Sequence, residues 1–203
     1  MVLRRVLSYV IGLFILSFGI TLTIVAGLGV GAWDALNVGL SETVGLTVGN
    51  WVIIVGVILI ILNAILLKSR PEVAALITVV LLGYFIDFWL LVVFPGVSFQ
   101  TFIVQLLILF IGAVLMAIGI ATYLQAGFAA IPIDRLMFVI QHLTKFKLMT
   151  SKTIAEVLAL ACAFLVGGPI GIGTVVVTFL IGPLIQLVFP TIEKIIKGQQ
   201  SAA

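Results

Sequence analysis

Two related stretches interrupt the apolar runs of this chain: Ala26-Gly-Leu-Gly-Val-Gly-Ala-Trp-Asp-Ala-Leu36 and Ala126-Gly-Phe-Ala-Ala-Ile-Pro-Ile-Asp-Arg-Leu136. Alanine, glycine, aspartate and leucine recur in them at a constant offset of 100 residues. Aspartate near a helix start accepts hydrogen bonds from free backbone N–H groups and suits the positive end of the helix dipole. We therefore predict that each stretch ends one helix and starts a short second one, over 34–43 and 134–143.

The apolar content places this chain in a membrane. Of its 203 residues, 64% are hydrophobic and 8% are charged, whereas a soluble domain averages about 45–50% apolar and about 25% charged residues. A helix needs about 20 mostly apolar residues to cross a bilayer. Six runs approach this length: 6–26, 50–67, 73–94, 103–125, 151–166 and 172–190. The first run is longer than the core of a secretory signal, so we expect it to belong to the folded protein.

The basic residues predict an orientation. If the N-terminus lies in the cytoplasm, all ten Lys and Arg residues fall in inner connections, and the outer connectors 27–49, 95–102 and 167–171 hold none. Inner loops of membrane proteins carry this excess of positive charge, so we expect both termini in the cytoplasm. The tryptophans are expected near the outer interface, where indole rings prefer to lie: Trp33, Trp51 and Trp89.

Glycines in the two halves also share this offset. Gly12, Gly19 and Gly27 match Gly112, Gly119 and Gly127, which predicts two repeats, 1–100 and 101–203, within one integral membrane domain. Three spans per repeat force the two copies into opposite orientations. Chance matching between apolar sequences is the alternative, and one shared offset for three glycines and an aspartate disfavours it. Small residues let helices approach closely in lipid, so we predict that the first span packs against the fourth at these glycines.

The predicted fold is thus an all-α membrane protein of six transmembrane helices arranged as two inverted three-helix repeats. Each repeat carries a short broken helix after its first span, and the break motif comprises Gly27, Gly29, Gly31, Gly127 and Pro132. Proline is favoured at the first position of a helix. The short helices have two open interpretations. They are either re-entrant elements that form a site near the bilayer midplane or amphipathic helices that lie on the two surfaces.

Polar residues in and near the spans are the candidate site, because charged groups in a bilayer usually face a cavity or a partner. Asp34 and Asp87 form a predicted outer pair. The predicted inner group lies on the other side: Asp134, Arg135, Glu156 and Gln186. Asn63 is a weaker addition. The alternative is that these acids cap helices, reach an interface or pair with Arg135 and Lys152.

Catalysis and metal binding find no support in the residue pattern. Cys162 is the single cysteine, and His142 is the single histidine. Neither has a nucleophile-and-base arrangement or a metal-ligand cluster around it in the sequence. The first glycine-rich stretch lacks the strand, the Lys-Ser/Thr pair and the basic surroundings of a phosphate loop. We expect no enzyme activity, no cofactor, no metal and no nucleic-acid partner.

The same motifs resemble a known family. Ala26-Gly-Leu-Gly-Val-Gly-Ala-Trp-Asp34, Ala126-Gly-Phe with Asp134, and Gly171-Ile-Gly-Thr174 with Ile181-Gly-Pro183 are similar to the YczE/YyaS/YitT group of bacterial multi-pass membrane proteins. The resemblance covers nearly the whole chain. It implies a protein of the bacterial cytoplasmic membrane, and it supplies neither an activity nor functional residues to carry over.

The leading functional hypothesis is a small transporter or permease. Its substrate would be an ion or a small, cationic solute, carried by alternating access between the two repeats. Six short spans enclose little room, which favours a homodimer in the bilayer. The alternative hypothesis is a membrane scaffold or regulatory subunit that binds another protein and transports nothing.

Overall fold

The computed structural model describes residues 2–201, with side chains described through Ile196. Met1, the Lys197 side chain and residues 202–203, which the predicted repeats and charge pattern include, lie outside the described residues. Within the described part the regular structure is helical: α1 Val2–Ala26, α2 Ala32–Val44, α3 Val48–Leu66, α4 Ala74–Asp87, a π-helical segment Phe88–Val93, α5 Phe102–Gln125, α6 Pro132–Thr144, α7 Leu148–Leu165 and α8 Ile172–Ser201.

The six predicted spans are confirmed as helices long and apolar enough to cross a membrane: Val2–Ala26, Val48–Leu66, Ala74–Val93, Phe102–Gln125, Leu148–Leu165 and Ile172–Ile196. Four of them begin one to four residues before the predicted start, at Val2, Val48, Phe102 and Leu148, because backbone hydrogen bonding continues past the apolar boundary. The last helix continues through Pro183 and Pro190 to Ser201. The short helices α2 and α6 are confirmed as separate elements between the first and second spans of each half.

The chain forms two compact units. Unit 1 contains Met1–Gly31, Phe85–Phe128 and Gly171–Ala203. Unit 2 contains Ala32–Tyr84 and Ala129–Ile170. Each unit therefore contains segments of both sequence halves: α1, the π-helical segment, α5 and α8 belong to unit 1, and α2, α3, most of α4, α6 and α7 belong to unit 2.

In unit 1, α1 and α5 pack with their backbones in contact. A Cβ added at Gly19 would lie 2.7 Å from the Gly112 carbonyl oxygen, and one at Gly112 would lie 2.9 Å from the Gly19 oxygen. A Cβ at Gly119 would lie 2.5 Å from the backbone nitrogen of Leu16, and one at Gly12 would meet the Tyr123 backbone. Real side chains do not fit at these distances, so the predicted packing of the first span against the fourth at these glycines is confirmed.

In unit 2, the two short helices pack against the same two long ones. Both α2 and α6 contact α3 and α7. Burial in α2 runs through consecutive residues, from Ala35 to Gly39, and therefore goes around the helix. Burial in α6 is restricted to Pro132, Leu136 and Val139, which leaves one face of that helix outward. The middle of α2 is therefore enclosed by protein, while Glu42, Thr43 and Val44 at its end are exposed.

The backbone contact in unit 1 predicts a large effect from a small substitution. Gly119→Ala places a methyl group against the Leu16 backbone, which cannot rotate away, so α1 and α5 must separate. Overpacking of this kind destabilises by about 1–3 kcal/mol, and we expect a lower thermal midpoint for the detergent-purified variant. Gly182→Ala in α8 is the matched control, since its Cβ would meet nothing within 4 Å. Equal midpoints for the two variants would contradict the proposed role of Gly119.

Candidate functional site

The first glycine-rich stretch is a backbone break held by other glycines. Gly27 has a φ of 72° and Gly29 has a φ of 95°, in the left-handed region that glycine enters without strain. Gly27 follows the last residue of α1 and ends that helix in the usual left-handed conformation. The Leu28 carbonyl oxygen accepts a hydrogen bond of 2.7 Å from the backbone nitrogen of Gly173. One backbone carbonyl of the break is therefore hydrogen-bonded to the start of α8, inside unit 1.

Close approach explains why glycine occupies these positions. A Cβ at Gly29 would lie 2.5 Å from the Gly171 nitrogen, and a Cβ at Gly171 would lie 2.5 Å from the Leu28 oxygen. A Cβ at Gly173 would meet the Gly29 oxygen. The motifs at 26–34 and 171–174 are thus two sides of one backbone contact. Packing is sufficient to account for Gly29, Gly171 and Gly173.

The second stretch is held by a side chain instead. Gly127 has a φ of 67° and follows α5. The guanidinium of Arg5 donates to the carbonyl oxygen of Ala126 at 2.8 Å and to that of Gly127 at 3.3 Å. It also lies 5.4 Å from the centre of the Phe128 ring. A cation at the C-terminal end of a helix is favoured by the dipole. Sequence reasoning used Arg5 only as an inner-loop charge and missed this contact.

Both short helices begin two residues before the predicted starts at 34 and 134. Gly31 precedes α2, and Pro132 is the first residue of α6. Asp34 and Asp134 are each the third residue of their helix, in the first turn. Their positions are confirmed, and each carboxylate lies where the free N–H groups of a helix start are found.

The first turns of α2 and α6 lie beside the C-terminal ends of two different long helices. A Cβ at Gly168, just after α7, would meet the Ala35 carbonyl oxygen of α2. The Asn63 side-chain nitrogen, one turn before the end of α3, donates to the Pro132 carbonyl oxygen of α6 at 3.0 Å. Asn63, the weaker candidate from the sequence, therefore contacts the start of α6.

Side chains from both first turns meet in one apolar cluster at the middle of unit 2. Its core is Leu59 of α3, Leu136 of α6 and Ala155 of α7, and the residues packed against it include Trp33 of α2 and Ile133 of α6. Leu59 and Ala155 lie near the midpoints of their helices. Trp33, expected near the outer interface, is partly buried against this cluster, and its indole nitrogen is buried.

Glu156 directly follows Ala155 at the middle of α7. The sequence placed it about one turn inside the fifth span, on the inner side; α7 begins at Leu148, so Glu156 lies more than two turns inside. Its carboxylate is within electrostatic range of Asp34, of Asp134, and of Lys152 one turn earlier on α7. Asp34, from the predicted outer pair, and Asp134, from the predicted inner group, thus both have Glu156 as a neighbour.

Two buried amides accompany the acids. Asn37, one turn after Asp34 on α2, is 4% exposed, and Asn63 is 1% exposed. Their side-chain oxygens are among the buried polar atoms of the described residues that have no hydrogen-bond partner. Buried polar atoms are usually paired, so these two oxygens are available to a donor at the starts of α2 and α6.

The site is acidic without being a metal cage. Arg135, next to Asp134, forms an ion pair with Glu72. Its positive charge is therefore balanced by that carboxylate. Among the described residues no three His, Cys, Asp or Glu side chains are close enough to hold one metal ion together. The three carboxylates therefore form a spaced series, with Lys152 as the cation within electrostatic range of Glu156.

The other two candidates, Asp87 and Gln186, belong to unit 1. Asp87 is half-buried and is the last residue of α4 before the π-helical segment. Within that segment Trp89 donates to the Ser17 hydroxyl at 3.1 Å, and its ring lies 4.8 Å and 4.5 Å from those of Phe14 and Phe18. Gln186 is exposed on α8. Single π-helical turns often occur at functional positions, so Asp87 stays a candidate in its own unit.

The environment of Asp34 changes its acidity. Burial, with a smaller contribution from the negative charge of Glu156, raises the pKa of Asp34 from 3.8 to about 7. Asp134 on α6 and Lys152 on α7 are the other charged groups around Glu156, and α3 contains no charged residue. Asp34 can therefore gain or lose a proton near neutral pH.

This acidity predicts how stability depends on pH. Because the folded protein holds the Asp34 proton up to about pH 7 while an unfolded aspartate releases it near 3.8, stability falls as pH rises through that interval and then levels. We expect the thermal midpoint in detergent to fall between about pH 4 and about pH 7, and the fall to be smaller in Asp34→Asn. Glu42→Gln, at the exposed end of α2, is the control. An unchanged pH dependence in Asp34→Asn would exclude Asp34 as its source.

Comparisons with known proteins give one family. Residues 3–190 match the model of a family of unknown function, DUF6198. The chain is 43% identical over 190 residues to the uncharacterized protein YyaS of Bacillus subtilis, which covers 94% of both chains. It is 36% identical over 183 residues to the uncharacterized membrane protein YczE of the same organism, covering 90% of this chain and 84% of the relative.

A more distant relative from Haemophilus influenzae is 25% identical over 185 residues. No solved structure matches this chain. The resemblance to YczE and YyaS noted from the glycine motifs is confirmed by these alignments. With six helices that can cross a bilayer and a family match over residues 3–190, this chain is a multi-pass membrane protein that belongs to the DUF6198 family.

Proposed function

We propose that this chain is a small transporter that moves a proton or another small cation along the series Asp34, Glu156 and Asp134 in unit 2. The observation that carries the proposal is the position of Glu156. It lies at the midpoint of α7, beside a cluster that receives side chains from the first turns of both short helices. A carboxylate at the centre of a span is costly and usually serves a pathway or a partner.

The arrangement supplies one acid at each end and one in the middle. Asp34 lies at the start of α2 and Asp134 at the start of α6, and both are within the electrostatic range of Glu156. Negative charge in a low-dielectric interior attracts cations and protons and repels anions. The buried oxygens of Asn37 and Asn63 add acceptors for a cation or a protonated amine. A substrate class of small cations follows from these groups.

Protons are the simplest cargo. The pKa of Asp34 at about 7 lets this carboxyl load and release a proton near neutral pH, as a proton relay requires. Lys152, one turn from Glu156, limits the net negative charge at the middle of the series. A second cation that reaches Glu156 would compete with the Lys152 ammonium or with a proton, which is how exchange between a proton and a solute is coupled.

The proposal includes two inverted repeats. Contacts in unit 1 support it, because they recur when 100 is added to, or subtracted from, the residue numbers. Gly19 meets Gly112 and Met116, while Gly119 meets Gly12 and Leu16. Gly127 lies beside the Arg5 side chain, and a Cβ added at Gly27 would lie 3.5 Å from the Gln105 side-chain nitrogen. Reciprocal contacts of this kind are what a two-fold relation between the copies produces.

The direction of the path follows from the charge pattern. With the basic connections in the cytoplasm, α2 follows an outer end and α6 follows an inner end, so Asp34 serves the outer mouth and Asp134 the inner mouth. Glu156 would then be reached from each side in turn, by alternating access. Both termini lie in the cytoplasm in this arrangement.

Flux measurements in proteoliposomes test the central acid. Purified protein is reconstituted with an internal pH-sensitive dye, and proton movement is recorded under a valinomycin-set potential and under gradients of Na⁺, K⁺ or methylammonium. We expect wild-type protein to move protons under at least one condition and Glu156→Gln to reduce the rate about 100-fold or more, as loss of an essential proton-transfer group does. Asp87→Asn, tested in parallel, reports whether the carboxylate of unit 1 contributes.

The control is Glu42→Gln, the same substitution at an exposed position of α2, which should leave the flux unchanged. Equal flux in Glu156→Gln and wild type would overturn the role of the central acid. If folded wild-type protein moves neither protons nor any cation of the panel, the transport proposal fails. Crosslinking in intact membranes would then examine the alternative of a scaffold that binds another protein.

A further inference from the structure

The loop end of α6 carries a depression unrelated to the acidic series. It has a volume of about 420 Å³ and is lined by Phe138, Gln141, His142, Lys145 and Phe146. That volume is within the ordinary range of small-molecule sites, about 300–1,000 Å³. All five lining residues belong to unit 2. The depression therefore combines two aromatic walls with a lysine, a histidine and an amide.

The charge around the depression is of one sign. Residues 135–155 contain four Lys or Arg residues and no Asp or Glu. Arg135 is paired with Glu72, and Lys152 is within electrostatic range of Glu156, so Lys145 is the cation that the lining offers to an occupant, and His142 adds a ring N–H donor. An anion is the complementary ligand.

The surroundings are apolar and outward-facing. Phe138 is 53% exposed, Phe146 is 51% exposed and Met149 is 72% exposed. Exposed apolar side chains of a membrane protein contact acyl chains, and lysine and histidine near a helix end reach toward the headgroups. A ligand that combines a phosphate with an apolar tail would match both zones.

A structural role for the cations explains only part of the arrangement. His142 lies in the last turn of α6 and Lys145 follows its end, where positive charge suits the helix dipole. Lys145 adopts a φ of 62°, a left-handed conformation that asparagine and glycine tolerate better. The dipole explains the charge; it does not explain two exposed phenylalanines on either side of it.

We propose that this depression binds the headgroup of an anionic phospholipid, with His142 and Lys145 facing the phosphate and Phe138 and Phe146 flanking the glycerol. Basic pockets at the end of membrane helices recognise acidic lipids in this way. The site is independent of the acidic series, and it does not require that the protein transport anything.

A lipid titration tests the proposal on the whole protein. Purified protein in a neutral detergent is titrated with phosphatidylglycerol or phosphatidylcholine, and the thermal midpoint is followed by tryptophan fluorescence. We expect phosphatidylglycerol to raise the midpoint with saturation and phosphatidylcholine to have little effect. Lys145→Gln should raise the half-saturating phosphatidylglycerol concentration about five-fold, the effect of one basic residue near an anionic surface. His142→Gln is the second variant and decides the result if Lys145→Gln does not purify folded.

Lys147→Gln is the matched control. It removes the same charge from the same loop, and Lys147 does not line the depression. If Lys145→Gln and Lys147→Gln raise the half-saturating phosphatidylglycerol concentration equally, the lipid is attracted to the basic loop in general and the proposed site is wrong. An equal rise of the thermal midpoint with phosphatidylcholine would show that the negative charge of the lipid is not recognised. An equal response to inorganic phosphate would show that the ligand is a soluble anion and overturn the lipid assignment.

Discussion

The contact between the backbones of α1 and α5 is the constraint on which unit 1 depends. Lipid provides no hydrophobic force between helices, so close packing and backbone approach must hold them together. Gly12, Gly19, Gly112 and Gly119 make that approach available. The same solution recurs where Gly29 meets Gly171 and the start of α8, so glycine motifs that look like ligand loops in the sequence are largely packing surfaces.

Local chemistry made part of this structure predictable. Apolar length located the six spans, Pro132 and the two aspartates located the starts of α2 and α6, and small residues located the packing of α1 on α5. The spans and the helix starts follow from residues close together in the chain, and the packing of α1 on α5 follows from glycines that share an offset of 100 residues. The candidate acids were found in the same way, because carboxylates are rare in so apolar a sequence.

Features that depend on three-dimensional neighbours could not be predicted. Glu156 was placed too near one end because hydropathy started the fifth span at 151, while the helix starts at Leu148. The partial burial of Trp33 follows from a cluster that α3, α6 and α7 build together. Arg5 contacts carbonyl groups more than a hundred residues away. The π-helical turn after Asp87 has no signal in composition or periodicity.

The two halves hold their short helices by different means, and this bears on how such a protein could move. The first stretch is held by backbone contacts among glycines, and α2 beyond it is buried from Ala35 to Gly39. The second is held by the Arg5 side chain, and α6 keeps an exposed face. A guanidinium contact can release by side-chain rotation, whereas a backbone contact requires helices to separate.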